Sequence, residues 1–264
     1  MGTVAFIGAG PGAADLITLR GARLLARADV VLFDALTDPA LKELAPQARW
    51  IDVGKRGYAD STGQATINAL LVAQARRVER VVRLKGGDPS LFGRLEEELE
   101  ALAAAGIACE VVPGVTAALA AAAASQRPLT RRGSGRSVLF ATAMTRDGMP
   151  ADAPQAAAHH RADTEVYYMA GKQLAALARR LLRAGWAPDA RCSVVSRAGW
   201  PDQLHSEHGV LDLGRAALLH AGRPTVVSVG AGAQALKSQP SPRSGAASSA
   251  ACAPQRLSPT ELPS

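Results

Sequence analysis

The sequence has few cysteines and few aromatic residues, and each shortage argues against a class of protein. Its three cysteines, Cys109, Cys192 and Cys252, lie far apart and form no CxxC pair. That usage argues against a disulfide framework or a cysteine metal site and suits a reducing cytoplasm. Aromatic residues make up 4% of the chain, and no Lys/Arg run is interleaved with them. The chain therefore lacks the pattern typical of nucleic-acid binding.

Long hydrophobic runs are also missing. The longest alanine-rich stretch, residues 117–124, is too short to cross a bilayer, and residues 1–10 contain no basic leader. We therefore expect a cytoplasmic protein that engages neither membrane nor nucleic acid. The net charge is +7, and little of it comes from the C-terminal end, so the folded part favours a small polyanionic partner.

The first half alternates apolar runs with helical spacing, which predicts an α/β fold with a mainly parallel sheet covered on both faces. The predicted strands are 4–7, 30–33, 81–84 and 109–112, with helices at 16–27, 67–78 and 95–102. Further strands at 137–143, 165–169, 192–197 and 225–229, and a helix at 174–182, predict a second α/β domain with some antiparallel strands. We place the domains at 1–130 and 131–237. Residues 238–264, poor in large apolar side chains, are predicted to be a disordered tail.

Three predicted strands run directly into glycine-rich loops, at residues 8–12, 85–89 and 113–116. In open α/β sheets, ligands bind outside the carboxyl ends of the strands, and glycine lets the backbone approach a ligand closely. Three such loops at one edge indicate a ligand site. One alternative is a dinucleotide site, because Gly8, Gly10 and Ala13 match GxGxxA and Asp34 ends the next strand. Pro11 and Gly12 are a poor entry to a helix, which weakens this alternative.

The segments GAGPGAADLITLRGARLLARADVVLFD, VGKRGY, VVRLKGGDPSLFGR, EVVPGVTAALAAAA and PLTRRG occur in this order. In order and spacing they resemble the uroporphyrinogen-III C-methyltransferases, within the S-adenosylmethionine-dependent tetrapyrrole methylase family. The resemblance is strong over residues 3–140 and fainter to residue 229. It implies two α/β domains with a cofactor cleft between them, of the tetrapyrrole methylase type and not a Rossmann fold. It also implies a homodimer that binds S-adenosylmethionine and a polyanionic tetrapyrrole.

The resemblance assigns roles to individual residues. Those at cofactor positions are Pro11, Gly86, Gly87, Asp88, Leu91, Thr116, Ala117, Met169 and Gly199. Asp34 is implied to accept a proton and Lys55 to donate one, and Arg94 lies near the reacting macrocycle. Glu97, Arg131 and Arg132 are implied to face the substrate.

The implied reaction is the C-methylation of uroporphyrinogen III, twice, giving precorrin-2 by way of precorrin-1. No metal is required, and His205 and His208 lack a third ligand, which favours surface histidines over a metal site. The chain departs from the family at Ala35, at Leu95 and Glu96, and at Arg131. These departures surround the substrate and leave three alternatives open: another corrinoid precursor as substrate, an NAD-dependent oxidoreductase, or a non-catalytic tetrapyrrole binder.

Overall fold

The structure, a computed structural model, describes residues 1–54, 63–144 and 162–236. Two compact α/β units make up the chain, the first ending at Thr116 and the second beginning at Ala117. This division falls earlier than the predicted one, because the helix from Ala117 packs its buried alanines against the second sheet. Lys55 and the predicted tail lie outside the described residues.

The first unit is a five-stranded parallel sheet, in the order β3-β2-β4-β1-β5. Its strands are β1 (Thr3–Gly8), β2 (Val30–Phe33), β3 (Arg49–Asp52), β4 (Arg80–Lys85) and β5 (Cys109–Val112), and its helices are α1 (Leu19–Leu25), α2 (Gln64–Ala75) and α3 (Leu95–Ala104). One face of the sheet packs against Leu71 of α2 and Leu102 of α3. The other face packs against Leu25 of α1. The predicted parallel sheet with two covered faces is confirmed.

Strand order argues against a dinucleotide-binding Rossmann unit. In that fold β1 and β2 are neighbours, whereas here β4 lies between them. The first glycine loop leads into a 3-10 turn at Ala14–Leu16, and α1 starts only at Leu19. The predicted helix over 16–27 is therefore shorter than expected. No helix N-terminus directly follows the loop to meet a pyrophosphate, as the Pro11-Gly12 pair indicated.

The second unit contains a mixed sheet in the order β6-β7-β10-β8-β9. Its elements are α4 (Ala117–Ala124), β6 (Val138–Thr142), β7 (Thr164–Tyr168), α5 (Leu174–Arg183), β8 (Arg191–Ser196), β9 (Leu204–Gly209), α6 (Ala217–His220) and β10 (Thr225–Gly230). Strands β6 and β7 are parallel, and the other pairs are antiparallel. The predicted second α/β unit with antiparallel strands is confirmed.

A fully buried histidine lies in this second unit. The ring nitrogens of His220 are 2.9 Å from Ser196 Oγ and 2.8 Å from Ser206 Oγ. Burial, with the nearby His208 and Arg223, lowers the pKa of His220 to about 4. An unfolded histidine titrates near pH ~6.5. The unfolded state therefore binds the proton first, and stability that is present above pH ~6.5 is lost as the pH falls towards 4.

We therefore expect the melting temperature to fall between pH 7 and pH 4.5, and to fall less steeply in the variant His220→Gln. Glutamine keeps a hydrogen-bonding group between the two serines but takes up no proton. Calorimetric melting of both proteins across this range measures the difference. Parallel curves would exclude His220 as a source of the acid sensitivity.

Candidate active site

The three glycine loops contact one another through backbone atoms at the carboxyl edge of the first sheet. A Cβ added to Gly8 would lie 2.5 Å from Gly114 Cα, and one added to Gly114 would lie 2.3 Å from the Gly87 carbonyl oxygen. Real side chains do not approach backbone so closely. Glycine at Gly8 and Gly114 is therefore a condition for the three loops to meet.

Hydrogen bonds hold the loops in this arrangement. Gly87 N donates to Gly10 O at 2.7 Å, and Gly10 N donates back to Gly87 O at 3.3 Å. Both glycines have positive φ, 72° and 79°, which favours glycine. Asp88 connects the second and third loops, because its Oδ2 accepts from Gly114 N at 2.9 Å and its Oδ1 accepts from Ser90 N at 2.8 Å. Asp88 thus shapes the loops through its carboxylate.

The other residues predicted to bind the cofactor are divided between the two units. Pro11, Gly86 and Leu91 are half-buried in or beside the first two loops, and Thr116 is buried at the end of the third. Ala117, Met169 and Gly199 belong to the second unit. Gly199 has a φ of 83° in the loop after β8.

Met169 follows β7 and has an unusual conformation. Its side chain is 45% exposed and its φ is 56°. Left-handed backbone is uncommon for residues other than glycine, and it persists where the surroundings enforce it, often at functional sites. The simple alternative, in which Met169 packs in the core, does not hold.

Asp34 immediately follows β2, at the same sheet edge as the glycine loops. Its Oδ1 accepts a hydrogen bond from Arg83 Nη2 at 2.6 Å, and its side chain is 30% exposed. The Arg83 side chain is only 3% exposed. Burial alone would lower the pKa of Arg83, but the carboxylates of Asp34 and Glu98 outweigh it and the pKa is raised. A permanently charged arginine thus faces Asp34 from inside the protein.

Arg83 and Lys85 share a second carboxylate, that of the fully buried Glu98 on α3. Glu98 Oε1 accepts from Arg83 Nε at 2.8 Å, and Oε2 accepts from Lys85 Nζ at 2.5 Å. Burial and the neighbouring Arg83 lower the pKa of Lys85. Neither Arg83 nor Glu98 was predicted as a site residue. The signal was two charged residues, two positions apart, within the otherwise apolar strand VVRLK.

A pocket of about 240 Å³ adjoins Asp34. Its lining residues are Phe33, Asp34, Ala35, Thr37, Asp38, Pro39, Lys42, Trp50 and Asp52. The ammonium group of Lys42 lies 5.0 Å from the centre of the Phe33 ring. The first unit therefore offers a partly aromatic cavity beside the partly exposed carboxylate.

The arginines predicted to face the substrate have different surroundings. Arg94 forms a two-pronged ion pair with Glu97, its Nε and Nη2 each 2.7 Å from a carboxylate oxygen. Both side chains are about half exposed. Arg131 donates to the carbonyl oxygens of Ala231, at 2.7 Å, and Gln234. Arg132 is exposed in the adjacent turn. Arg131 therefore braces the fold, which leaves Arg132 as the more accessible cation.

Within the described ranges, no three His, Cys, Asp or Glu side chains group to hold a metal ion. The absence of a metal requirement stays a prediction. His205 is exposed on β9, with its Nε2 3.0 Å from Ser193 Oγ. Across the described residues, every helix is too short or too polar to span a membrane.

A profile of the tetrapyrrole (corrin/porphyrin) methylases matches residues 3–214. The chain belongs to this family, as the motifs predicted. It is similar to the uroporphyrinogen-III C-methyltransferase of Pseudomonas aeruginosa, with 43% identity over 245 residues that cover 90% of this chain and 97% of that relative.

Two further relatives have different lengths. A siroheme synthase from Gluconacetobacter diazotrophicus is 44% identical over 231 residues, which cover 87% of this chain but 49% of the relative. The chain thus spans about half the length of the siroheme synthases it matches. The crystal structure of uroporphyrin-III C-methyl transferase from Thermus thermophilus, in complex with S-adenyl homocysteine, superposes with a TM-score of 0.75 and 35% identity. That match covers 87% of this chain and 97% of the other.

We expect Gly8→Ala to lower the stability of the first unit by about 1–3 kcal/mol, the usual cost of overpacking. The added methyl group would overlap the Gly114 backbone. Gly63→Ala is the matched control, because a Cβ there meets nothing closer than 3.9 Å. Urea unfolding followed by circular dichroism gives both values, and equal midpoints would contradict the close packing of the loops.

Proposed function

We propose that the protein transfers methyl groups from S-adenosylmethionine to carbon atoms of uroporphyrinogen III, twice, giving precorrin-2 by way of precorrin-1. The observation that carries the proposal is the pairing of Asp34 with the buried Arg83 beside the glycine loops. The relatives from Pseudomonas aeruginosa and Thermus thermophilus support this reaction. Support for the methyl donor comes from the S-adenyl homocysteine in the latter structure.

The glycine loops fit a cofactor of this kind. Gly86 and Gly87 are partly accessible and carry no side chain, so a ligand can reach their backbone. Pro11 and Leu91 offer apolar surface beside them, and in the second unit Met169 offers more. When bound, S-adenosylmethionine supplies an electrophilic methyl group. Thr116, Ala117 and Gly199 remain proposed contacts.

Asp34 has the features required of a proton acceptor. Once a carbon–carbon bond has formed at a pyrrole carbon, the macrocycle must lose a proton, which a carboxylate can take up. Arg83 holds Oδ1 at 2.6 Å, and among the described residues it alone hydrogen-bonds to this carboxylate. Oδ2 therefore remains to accept the proton. We retain Lys55 as the proposed proton donor.

The charge of the chain suits a substrate that carries several ionised carboxylates. Arginine binds carboxylates through two parallel hydrogen bonds. Arg132 is accessible for this role. Arg94 can take part only by exchanging Glu97 for a substrate carboxylate, and its exposure makes that exchange inexpensive. The cytoplasmic location and the homodimer also remain part of the proposal.

Of the alternatives, strand order argues against an NAD-dependent oxidoreductase. A related corrinoid precursor as substrate is the second candidate, favoured by the 28% identity and TM-score of 0.76 to a cobalt precorrin-4 methyltransferase. Turnover assays with uroporphyrinogen III and labelled S-adenosylmethionine test the main proposal. Absence of methyl transfer to uroporphyrinogen III would reject it and favour the second candidate or a non-catalytic binder.

We expect Asp34→Asn to lower the rate of methyl transfer on the order of 10²–10⁴-fold, because an amide cannot accept the proton. Binding of S-adenosylhomocysteine, measured by calorimetry, should stay unchanged. Asp29→Asn is the matched control, since Asp29 precedes the same strand and pairs with Arg80 at its other end. A rate for Asp34→Asn equal to that of the control would remove Asp34 from the chemistry.

The two neighbouring arginines should respond differently to substitution. Arg132→Ala should raise the Michaelis constant for uroporphyrinogen III with little change in melting temperature, because it loses an accessible cation. Arg131→Ala should lower the melting temperature, because it removes the bonds to Ala231 and Gln234. Steady-state kinetics and calorimetry separate the two effects, and the reverse pattern would contradict both assignments.

A further inference from the structure

Four charged side chains form a continuous chain of ion pairs behind the candidate active site, which we call the charge network. Its members are Asp34, Arg83, Glu98 and Lys85, joined in that order. Asp34 is 30% exposed, whereas the other three are 3% exposed or less. The network therefore carries no net charge and reaches the surface at one carboxylate.

Stability alone does not account for this arrangement. Removing charged groups from water costs several kcal/mol per ion, and apolar side chains of similar volume are often as stabilising as a buried ion pair. The surrounding core of the first unit is apolar and could extend into this space. Because the network ends at the proposed proton acceptor, its buried part is better explained by what it does to Asp34.

The guanidinium of Arg83 is fixed on several sides. Nε is held by Glu98 from α3, and Nη1 donates to the Leu84 carbonyl oxygen at 3.2 Å. The remaining Nη2 is the group that meets Asp34. An arginine held in this way can set the position of the Asp34 carboxylate, since the chain after β2 would otherwise allow it to rotate.

We propose that Arg83 is the positioning residue for Asp34, and that Glu98 acts through Arg83 by holding its guanidinium in place. This inference rests on the proposed function, because it presumes that Asp34 accepts a proton.

Lys85 has a different place in the network. Its ammonium group donates to Glu98 and makes no hydrogen bond to Asp34 in the described structure. It passes close to Gly93, where an added Cβ would lie 3.1 Å from Lys85 Cε. Lys85 balances the charge of Glu98, but it is not needed to hold Asp34, and this difference supplies a matched control.

Two double variants separate positioning from stability: Arg83→Met/Glu98→Gln and Lys85→Met/Glu98→Gln. Each removes one buried positive and one buried negative charge, so each stays balanced. In the lysine variant Arg83 still pairs with Asp34, and the introduced amide oxygen can still accept from Arg83 Nε. In the arginine variant Asp34 loses its partner.

We expect kcat for uroporphyrinogen III to fall on the order of 10²-fold in the arginine variant and to stay within about tenfold of wild type in the lysine variant. The acidic limb of the pH–rate profile should move to higher pH in the arginine variant alone, because a carboxylate without a nearby cation keeps its proton more readily. The other charged groups around Asp34, which are Asp38, Lys42 and Asp52, are retained in both. The dissociation constant for S-adenosylhomocysteine should be unchanged in both.

Equal kcat values and superposable pH profiles in the two variants would overturn the inference. If either double variant fails to fold, Arg83→Lys decides: it keeps the charge but not the fork of donors, so kcat should fall at least about tenfold, and an unchanged kcat would overturn the proposal. Failure of the proposed function is a separate outcome, seen as no turnover by the wild-type protein.

Discussion

The candidate active site depends on a contact between backbones at Gly8, Gly87 and Gly114. Parallel strands β1, β4 and β5 bring these loops to one edge, but only residues without side chains can meet at the distances found there. The carboxylate of Asp88 then joins two of the loops. The loops can therefore be rigid before a ligand arrives, which reduces the ordering cost of binding.

Much of the fold could be predicted because its central strands are short apolar runs that end in glycine. Two strands were missed, β3 (Arg49–Asp52) and β9 (Leu204–Gly209), and both lie at sheet edges. An edge strand has one neighbour and fewer buried side chains, so its sequence carries little apolar signal. In β9, for example, the polar sequence LHSEHG shows no apolar alternation. Its pairing with β8 arises from tertiary structure.

The site could be predicted in part. The position of Asp34 after a strand and the glycine loops are visible in the sequence, because strand ends and glycines mark them. The partner of Arg131 is not visible, since its guanidinium bonds to main-chain oxygens about a hundred residues away. Nor does any local pattern give Met169 its left-handed backbone. The Arg94–Glu97 pair was foreseeable from helical spacing alone.

The ion pairs at the two ends of β2 have a consequence for folding accuracy. Asp29 bonds to Arg80 at one end and Asp34 to Arg83 at the other, so β2 is matched to β4 twice. A slip of one residue between these strands would turn side chains to the opposite face. It would also leave the guanidinium of Arg83 buried without its Asp34 partner, at a high free-energy cost. The same charges that serve the site thus help the chain to reject misaligned sheets while it folds.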